Sequence, residues 1–437
     1  GRTIGILGCM SYSQEIETCL TARIGAHGLD EAALAARLDR LGPALEALKG
    51  AHLPHFDQPG RRDDLDEIAE VATHLRRFDN VIVLGTGGSS LGGRVLATVA
   101  RDADAPCLYF LDNVDPDGFD AALGHLDPAR TGTLIVSKSG TTAETLVQAL
   151  VVLPWLADAG IDVAGHVVGI SDPVDQAAPS PLRQLASHYH FKMLDHVPGI
   201  GGRFAALTNV GLIPAAIAGL DPVRVRAGAA ETLARTFDAA TPAEAPPVLG
   251  AALIVGLAYE NAITQTVLMP YLDRFAPLAH WFCELWAESL GKGGHGTTPI
   301  AARGTVDQHS QLQLWLDGPA DKMFTLILGN AEGTGTRLDV ASTGTDGLDY
   351  LDGRTMGDLL AAEQEAMRDT LVAAGRPVRV LRVESADAES IGALMMHFMM
   401  ETILAAHLLG VDPFDQPAVE DGKRLTRARL AAMKGGT

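Results

Sequence analysis

The sequence predicts an α/β protein with two units, each a parallel β-sheet flanked by helices in three layers, and with helical additions at both ends. Two observations carry this prediction. Short apolar runs of strand length alternate with helical patterns between residues 80 and 195, as in a parallel sheet covered on both faces. A second series of apolar runs follows residue 260. The 437 residues, 47% of them hydrophobic, are enough for two such cores.

The first half of the chain supplies an N-terminal segment and the first unit. Leucine and alanine recur at helical spacing in residues 29–50, across one proline, and residues 62–78 form a second amphipathic pattern. We therefore expect a helical segment over residues 1–60 and the first unit over residues 61–215. Its strands are predicted at residues 81–85, 106–112, 133–138, 166–171 and 190–194.

The second unit is expected over residues 216–437 and ends in a helical arm. The pattern turns helical near residues 205–260, and the proline-rich stretch TPAEAPP at 241–247 predicts a loop or a domain junction. Strands are predicted at residues 262–271, 323–330 and 377–385, with helices at 276–290 and 388–410.

Composition excludes several classes of partner. The net charge of −20 argues against nucleic acid and anionic membranes. No membrane span and no signal peptide are expected from the sequence. The cysteines form no CxxC pair and no cluster with histidine, which predicts free thiols in a reducing cytoplasm and no metal site. They are Cys9, Cys19, Cys107 and Cys283.

The stretch VIVLGTGGSSLGG, residues 81–93, predicts a strand, a glycine turn and a helix, an arrangement that holds phosphate groups. Three interpretations compete. A dinucleotide fingerprint needs a third glycine where Ser90 stands, although Asp112 could be its acidic partner. A nucleotide P-loop needs a lysine that is absent. The third interpretation is a turn whose serine hydroxyls and amides hold a single sugar or phosphate.

A second loop favours the third interpretation. In TGTLIVSKSGTTAET, residues 131–145, an apolar strand again leads into a polar loop and a helix. Hydroxyls and amides at a helix N-terminus, with a lysine beside them, suit a dianion. An ordinary N-cap uses one or two such side chains, whereas this loop has five within six residues: Ser137, Lys138, Ser139, Thr141 and Thr142.

SKSGTTAET resembles the phosphate-binding signature of sugar isomerase (SIS) domains. Five further segments resemble the glucose-6-phosphate isomerase (phosphoglucose isomerase) family, in its shorter bacterial form. They are LGTGGSSLGG (84–93), GGRFAALTNVGL (201–212), ESLGKGG (288–294), GTVDQHSQLQ (304–313) and DPFDQPAVEDGK (412–423). The resemblance implies two SIS domains and an aldose–ketose isomerase (EC 5.3.1.9) of glycolysis and gluconeogenesis. Such an enzyme interconverts glucose 6-phosphate and fructose 6-phosphate through a cis-enediolate, with no metal or cofactor.

The resemblance also implies catalytic residues. Glu288 matches the base that moves a proton between C2 and C1, and a shielded carboxylate suits that task. Arg203 matches the arginine that faces the enediolate. His309 and Lys423 match the pair assigned to ring opening. The family's histidine comes from the neighbouring subunit, so a homodimer is implied.

Contacts to the sugar and its phosphate follow from the same match. They are expected from Gly88, Ser89, Ser137, Lys138, Ser139, Thr142, Glu284 and Gln416. Three positions depart from the family pattern: Gly140 replaces a bulky residue, Ala205 a serine and Glu284 a glutamine. Because Glu284 and Glu288 lie one helical turn apart, we expect repulsion between them to raise the pKa of one carboxyl.

Two alternatives stay open. The chain could be another SIS-domain phosphosugar isomerase, although those lack the GGRF and FDQP segments as a set. It could instead be a non-catalytic phosphosugar sensor. A regulator of that kind usually carries a DNA-binding helix-turn-helix and a basic patch, and neither is visible in the sequence.

Overall fold

The computed structural model describes residues 11–174 and 179–433, and ten strands within these ranges form two five-stranded sheets. We label the strands in chain order. They are β1 (Tyr12–Glu15), β2 (Asn80–Leu84), β3 (Cys107–Leu111), β4 (Thr131–Val136), β5 (Val167–Ser171), β6 (Lys192–Asp195), β7 (Gln265–Pro270), β8 (Thr298–Ala301), β9 (Lys322–Gly329) and β10 (Val378–Val383).

Helices of nine or more residues in the same ranges are labelled α1 to α13. They are α1 (Glu31–Gly50), α2 (Leu65–Leu75), α3 (Leu91–Val99), α4 (Pro116–Gly124), α5 (Ala143–Asp158), α6 (Pro181–Tyr189), α7 (Asn209–Ile217), α8 (Pro222–Phe237), α9 (Pro246–Glu260), α10 (Ala276–Leu290), α11 (Met356–Ala373), α12 (Ala388–Leu409) and α13 (Glu420–Ala432). This alternation of strands and helices confirms the predicted α/β class with its flanking helices.

The first sheet is parallel throughout, with the strand order β3-β2-β4-β5-β6. Its apolar strands are buried on both faces, which is why the sequence shows runs rather than alternation. The chain moves from β2 to β3 on one side and later to β4 on the other side. Such a reversal opens a crevice at the carboxyl ends of the strands. The loops that follow β2 and β4 therefore lie at that crevice.

The second sheet differs from the prediction at both edges. Its order is β1-β10-β9-β7-β8, and β1 pairs antiparallel with β10, so the sheet is mixed rather than purely parallel. The sequence analysis missed β1 and β8. Each has only four residues and neither is fully buried, so neither leaves an apolar run in the sequence. An edge strand of this kind is set by the sheet that it joins.

Helix α12 corrects another expectation. Its 22 residues are long and apolar enough to cross a membrane, whereas no such stretch was expected. In the fold, nearly the whole helix is buried against α8, α9 and α10. A core helix meets the same length and composition criteria as a membrane span.

One continuous hydrophobic core includes residues from both sheets, such as Leu134 and Leu381. The expected boundary after residue 215 falls inside α7. The bounds of the two units, residues 61–215 and 216–437, stay a prediction.

A buried ionic network holds the N-terminal strand onto the second sheet. Arg379 of β10 is paired with Glu401 of α12, and both side chains are fully buried. His397 Nε2 lies 3.0 Å from Glu401 Oε2, and His397 Nδ1 lies 2.7 Å from the Tyr12 hydroxyl. Each polar group in this chain of contacts has a partner, which offsets the cost of burying the charges.

Replacing Arg379 by methionine leaves the buried carboxylate of Glu401 without its cationic partner. We expect the free energy of unfolding to fall by about 3–5 kcal/mol, as measured by urea unfolding followed by circular dichroism. Arg382 of the same strand is the matched control, because its ion pairs with Glu15 and Glu365 are partly exposed. Arg382→Met is expected to cost about 0–1 kcal/mol. Equal losses in the two variants would contradict the prediction.

Candidate functional site

The two polar loops meet at the crevice of the first sheet. One follows β2 over residues 85–90, and the other follows β4 over residues 137–142. Because β2 and β4 are parallel neighbours, their carboxyl ends lie side by side. A Cβ atom added to Gly85 would lie 3.2 Å from the carbonyl oxygen of Val136, so the first loop begins in close contact with the end of β4, where the second loop starts.

The second loop presents hydroxyls and amides at the start of α5. The buried Ser137 donates a hydrogen bond of 3.1 Å to Thr142 Oγ1, and the hydroxyls of Ser139 and Thr141 lie 2.8 Å apart. Thr142 does not cap α5 with its own side chain. The N–H groups of the first helical turn are therefore available to an anion, and the helix dipole favours one there.

Gly140 has a physical reason to depart from the family pattern. Its φ of +64° lies in the left-handed region, and an added Cβ would come within 2.2 Å of Ser180 Oγ. A bulky side chain therefore does not fit this loop without a shift of its neighbours.

The first loop packs on the turn that carries Arg203. A Cβ on Gly88 would lie 2.1 Å from the carbonyl carbon of Gly202, and Gly87 adopts a φ of +55°. The glycines thus permit a backbone contact that any side chain would prevent. Ser89, the sugar contact expected from the sequence, lies in the same turn and is partly exposed.

The structure disfavours the dinucleotide interpretation of this loop. Asp112 would have to bind a ribose, but its carboxylate lies 2.8 Å from Arg94 in an ion pair. Ser90 occupies the position of the third glycine and is buried.

Arg203 is the centre of the site. Its buried guanidinium donates from Nε to Ser289 Oγ at 2.9 Å and from Nη1 to Glu288 Oε2 at 2.9 Å. Nη1 also donates to Gln416 Oε1 at 2.8 Å. Nη2 donates to the carbonyl oxygens of Pro413 at 2.6 Å and Asp415 at 3.0 Å. These five contacts match the five N–H groups of an arginine. Arg203 therefore joins the predicted base Glu288 to the predicted sugar contact Gln416.

Two glutamates project from α10 into this region. The Glu288 side chain is 36% exposed. Burial, and secondly the neighbouring Glu288, raise the pKa of Glu284 to about 7. The expected direction agrees with this result, although burial rather than repulsion is the larger cause.

Within the described residues, the side chains of His309 and Lys423 make no hydrogen bond or ion pair with Arg203, Glu288 or Gln416. His309 is exposed in the short helix Val306–Ser310 and makes no side-chain hydrogen bond within the described residues. Lys423 lies on α13, which is exposed along its whole length, and it pairs with Glu420 at 2.7 Å. Their assigned roles stay predictions.

The sequence analysis missed His55. Its ring is buried, stacks on Phe414 with 4.9 Å between ring centroids, and meets Phe204 edge-on at 5.0 Å. Burial and the nearby charges of Arg203 and Lys138 lower the pKa of His55 to about 4, so the ring is neutral at pH 7. Nothing in the sequence distinguishes it among fourteen histidines. His55 therefore supports the loop of residues 412–416 that supplies acceptors to Arg203.

Lys292 of the ESLGK segment supports the same loop. Its ammonium group lies 2.7 Å from Asp415 Oδ1 and also donates to the carbonyl oxygen of Asp412. The sequence analysis quoted this lysine inside a motif but gave it no role.

The described ranges contain no cluster of three or more histidine, cysteine, aspartate or glutamate residues suited to a metal ion. Cys19, Cys107 and Cys283 are free thiols, as expected. Cys9 lies outside the described residues.

Truncating His55 should loosen the 412–416 loop. We expect His55→Ala to increase amide hydrogen exchange at Phe414–Gln416 by about tenfold, because one stacked ring and its edge contact are lost. His55→Phe keeps an aromatic ring and is expected to exchange as the unmodified protein does. If the two variants exchanged equally fast, ring packing would not be what holds the loop.

Comparisons with known proteins identify the family of this chain. A family model described as "Phosphoglucose isomerase" matches residues 70–320. A glucose-6-phosphate isomerase from Rubrobacter xylanophilus is 38% identical over 90% of this chain and 93% of its own length. One from Thermus thermophilus is 36% identical over 90% of this chain and 96% of its own length.

Solved structures support the fold. The crystal structure of a hypothetical protein from Thermus thermophilus is 33% identical, with a TM-score of 0.84, and the match covers 96% of this chain and all of that one. A glucose-6-phosphate isomerase from Chlamydia trachomatis is 20% identical, with a TM-score of 0.81, over 98% of this chain and 90% of that one. From the matched model and the similarity over most of its length, the chain belongs to the phosphoglucose isomerase family.

Proposed function

We propose that this chain catalyses the reversible isomerisation of glucose 6-phosphate and fructose 6-phosphate, with Glu288 as the base. The observation that carries the proposal is the Glu288 carboxylate, held 2.9 Å from the buried guanidinium of Arg203 at the crevice where the two loops meet. Membership of the phosphoglucose isomerase family supports the same reaction. No sensor function would require this arrangement of a half-buried carboxylate and a buried cation.

The second loop binds the phosphate in this proposal. The amides at the start of α5 and the hydroxyls of Ser139 and Thr142 donate hydrogen bonds to phosphate oxygens, and Ser137, which donates to Thr142 in the structure, turns its hydroxyl to the phosphate when substrate binds. Lys138 adds a positive charge. Ser89 and Gly88, from the first loop, contact the sugar between the phosphate and Arg203. Binding the phosphate at a fixed position holds the opened carbon chain against Glu288.

Proton transfer follows from the arrangement of Glu288 and Arg203. Glu288 removes the proton from C2 of glucose 6-phosphate and returns it to C1, while the proton of the C2 hydroxyl ends on the C1 oxygen. The oxygens carry negative charge in the enediolate between these steps, and the guanidinium of Arg203 stabilises that charge. Gln416 donates an amide hydrogen bond to the sugar.

Ring opening comes first and uses His309 and Lys423, in a homodimer where His309 of the partner subunit reaches the site.

The exposure of α13 supports a dimer. Leu425 and Leu430 on this helix are 50% and 57% exposed, and an isolated helix of about this length is only marginally stable in water. We propose that α13 packs on the second copy. A cytoplasmic location, expected from the cysteines, is part of the same proposal.

Removing the base should abolish turnover. We expect Glu288→Gln to lower kcat for fructose 6-phosphate by about 10³-fold or more, with KM changed only a few-fold, in a coupled assay of glucose 6-phosphate formation. Glu67→Gln, an exposed carboxylate on α2, is the control and keeps full activity. Equal rates for wild type and Glu288→Gln would refute the assignment. Substrate binding without turnover by the wild type would favour the sensor.

Mixed dimers test the shared site. Glu288→Gln and His309→Ala chains, each inactive alone, are mixed under subunit exchange, with different affinity tags to isolate the mixed dimer. If His309 crosses the interface, one of the two sites in each mixed dimer is intact. A random mixture then recovers about a quarter of wild-type activity. Isolated mixed dimers that remain inactive would mean that each subunit has a self-contained site.

A further inference from the structure

Arg376 differs from the other buried arginines of the described residues because it lacks a carboxylate partner. The three others each pair with one, namely Arg203 with Glu288, Arg226 with Asp64 and Arg379 with Glu401. Arg376 is 7% exposed and makes no ion pair within the described residues. A buried cation without an anion is unfavourable. Its guanidinium is therefore a candidate for binding an anion from solution.

The backbone accepts only part of what the Arg376 guanidinium can donate. Nε donates to the carbonyl oxygen of Trp315 at 2.8 Å, and Nη2 donates to those of Leu316 at 2.8 Å and Gly318 at 3.0 Å. Nη1 has no acceptor in the part of the chain that the structure describes, and protein atoms do not enclose it. Its two N–H groups are therefore free, and the carbonyl oxygens leave the full positive charge in place.

Arg376 lines a cavity of about 300 Å³, which we call the Arg376 cavity. Three of its walls are segments that precede strands of the second sheet: residues 260–263 before β7, Ala320 before β9 and residues 375–377 before β10. The turn at residues 26–27 forms another wall. Because Nη1 is the nitrogen of Arg376 that is neither bonded nor enclosed, it is the atom presented to this space. The volume suits a compound of a few carbons.

The walls of the Arg376 cavity are tied to one another. Asn261 Nδ2 donates to the carbonyl oxygens of Gly28 at 3.0 Å and Ala26 at 3.4 Å, which joins the turn to the segment 260–263. Ala262 lines the cavity with a φ of +53°. Alanine seldom adopts this left-handed conformation, and such residues cluster where a backbone clamps a ligand. The cavity is thus a formed space rather than a gap between loose loops.

The charges around the Arg376 cavity also favour an anion. Glu260 is the carboxylate among the lining residues, and Arg37 lies 2.7 Å from it in an ion pair. An adjoining cavity of about 720 Å³ shares His27 and Gly375 with the first. Arg23 lines this second cavity and has no ion pair within the described residues. Two unpaired arginines therefore lie in one region of a chain whose net charge is −20.

We propose that the Arg376 cavity binds a small oxyanion, a carboxylate or a phosphate on a compound of a few carbons, through the two N–H groups of Arg376 Nη1. A guanidinium forms charge-assisted hydrogen bonds with either group. None of the residues that line the cavity belongs to the site around Arg203, so this is a second binding site on the chain. It does not depend on the reaction proposed above.

Filling the cavity tests the proposal. Inorganic phosphate and malonate are titrated separately into the full chain at low ionic strength and followed by isothermal calorimetry. Ala320→Leu fills the space but keeps the three carbonyl contacts of Arg376, and Ala157→Leu, at an exposed position on α5, is the matched control. Wild type and Ala157→Leu should bind at least one of the two probes at a site whose affinity falls about tenfold or more in Ala320→Leu.

Phosphate binding at residues 137–142 would be common to all three proteins, so the event that identifies the cavity is the one that Ala320→Leu weakens. Weakened binding of malonate alone identifies a carboxylate site, and weakened binding of phosphate alone identifies a phosphate site. If Ala320→Leu weakens the binding of neither probe while its circular dichroism spectrum matches wild type, the proposal is overturned.

A carboxylate supplied by the chain itself gives a second readout. Ala320→Glu places an anion in the Arg376 cavity, whereas Ala320→Gln has the same size without the charge. We expect the midpoint of thermal unfolding to be about 1–3 °C higher for the glutamate variant at low salt, and the difference to shrink in about 1 M NaCl. An equal or lower midpoint for Ala320→Glu would show that the cavity does not favour an anion.

Discussion

Arg203 is a buried cation that needs an acceptor for each of its five N–H groups, and meeting that need joins three separate parts of the chain. Ser289 and Glu288 come from the end of α10, and the remaining acceptors come from the loop at 412–416. An unpaired guanidinium would be costly to bury at this position. The end of α10 and the 412–416 loop are therefore held together by the same interaction that places a positive charge beside Glu288.

The glycine turn after β2 makes this arrangement possible. Its backbone touches Gly202 on one side and the Glu284 carboxyl on the other, at distances that no side chain on the turn would allow. The turn thus excludes water from one carboxyl of α10 and leaves the other partly exposed. Burial beneath this turn, and secondly the neighbouring Glu288, raise the pKa of Glu284 to about 7.

Segments near both ends of the described chain contact the second sheet or the residues around Arg203. The N-terminal segment contributes β1 at the edge of the second sheet, where Tyr12 meets a buried histidine, and contributes His55 beneath the 412–416 loop. The C-terminal part supplies acceptors to Arg203 and then continues as α13, which is exposed along its length. Because this helix is so exposed within its own chain, it is the segment for which we propose contact with a second subunit.

Much of the fold could be predicted from the sequence because it depends on local patterns of residues. Buried parallel strands leave apolar runs, and β2, β4 and β9 were predicted within a few residues for that reason. The glycine turn and the hydroxyl-rich loop could also be predicted from the sequence, because runs of glycine, serine and threonine at a helix start are typical of anion binding. The short edge strands β1 and β8 were missed because their positions depend on hydrogen bonds to partners far along the chain.

The sequence by itself determined the α/β class, the two loops for which we predict phosphate or sugar binding, and the identity of the residues quoted in the family motifs. Only the tertiary structure decided which of those residues meet. It brought Arg203, Glu288 and Gln416 into contact, left His309 and Lys423 on exposed helices, and added His55 to the site. It also decided that Glu284 is the carboxyl with the raised pKa. The physical reason is that burial and charge pairing arise between segments distant in the chain, and residue order alone does not contain them.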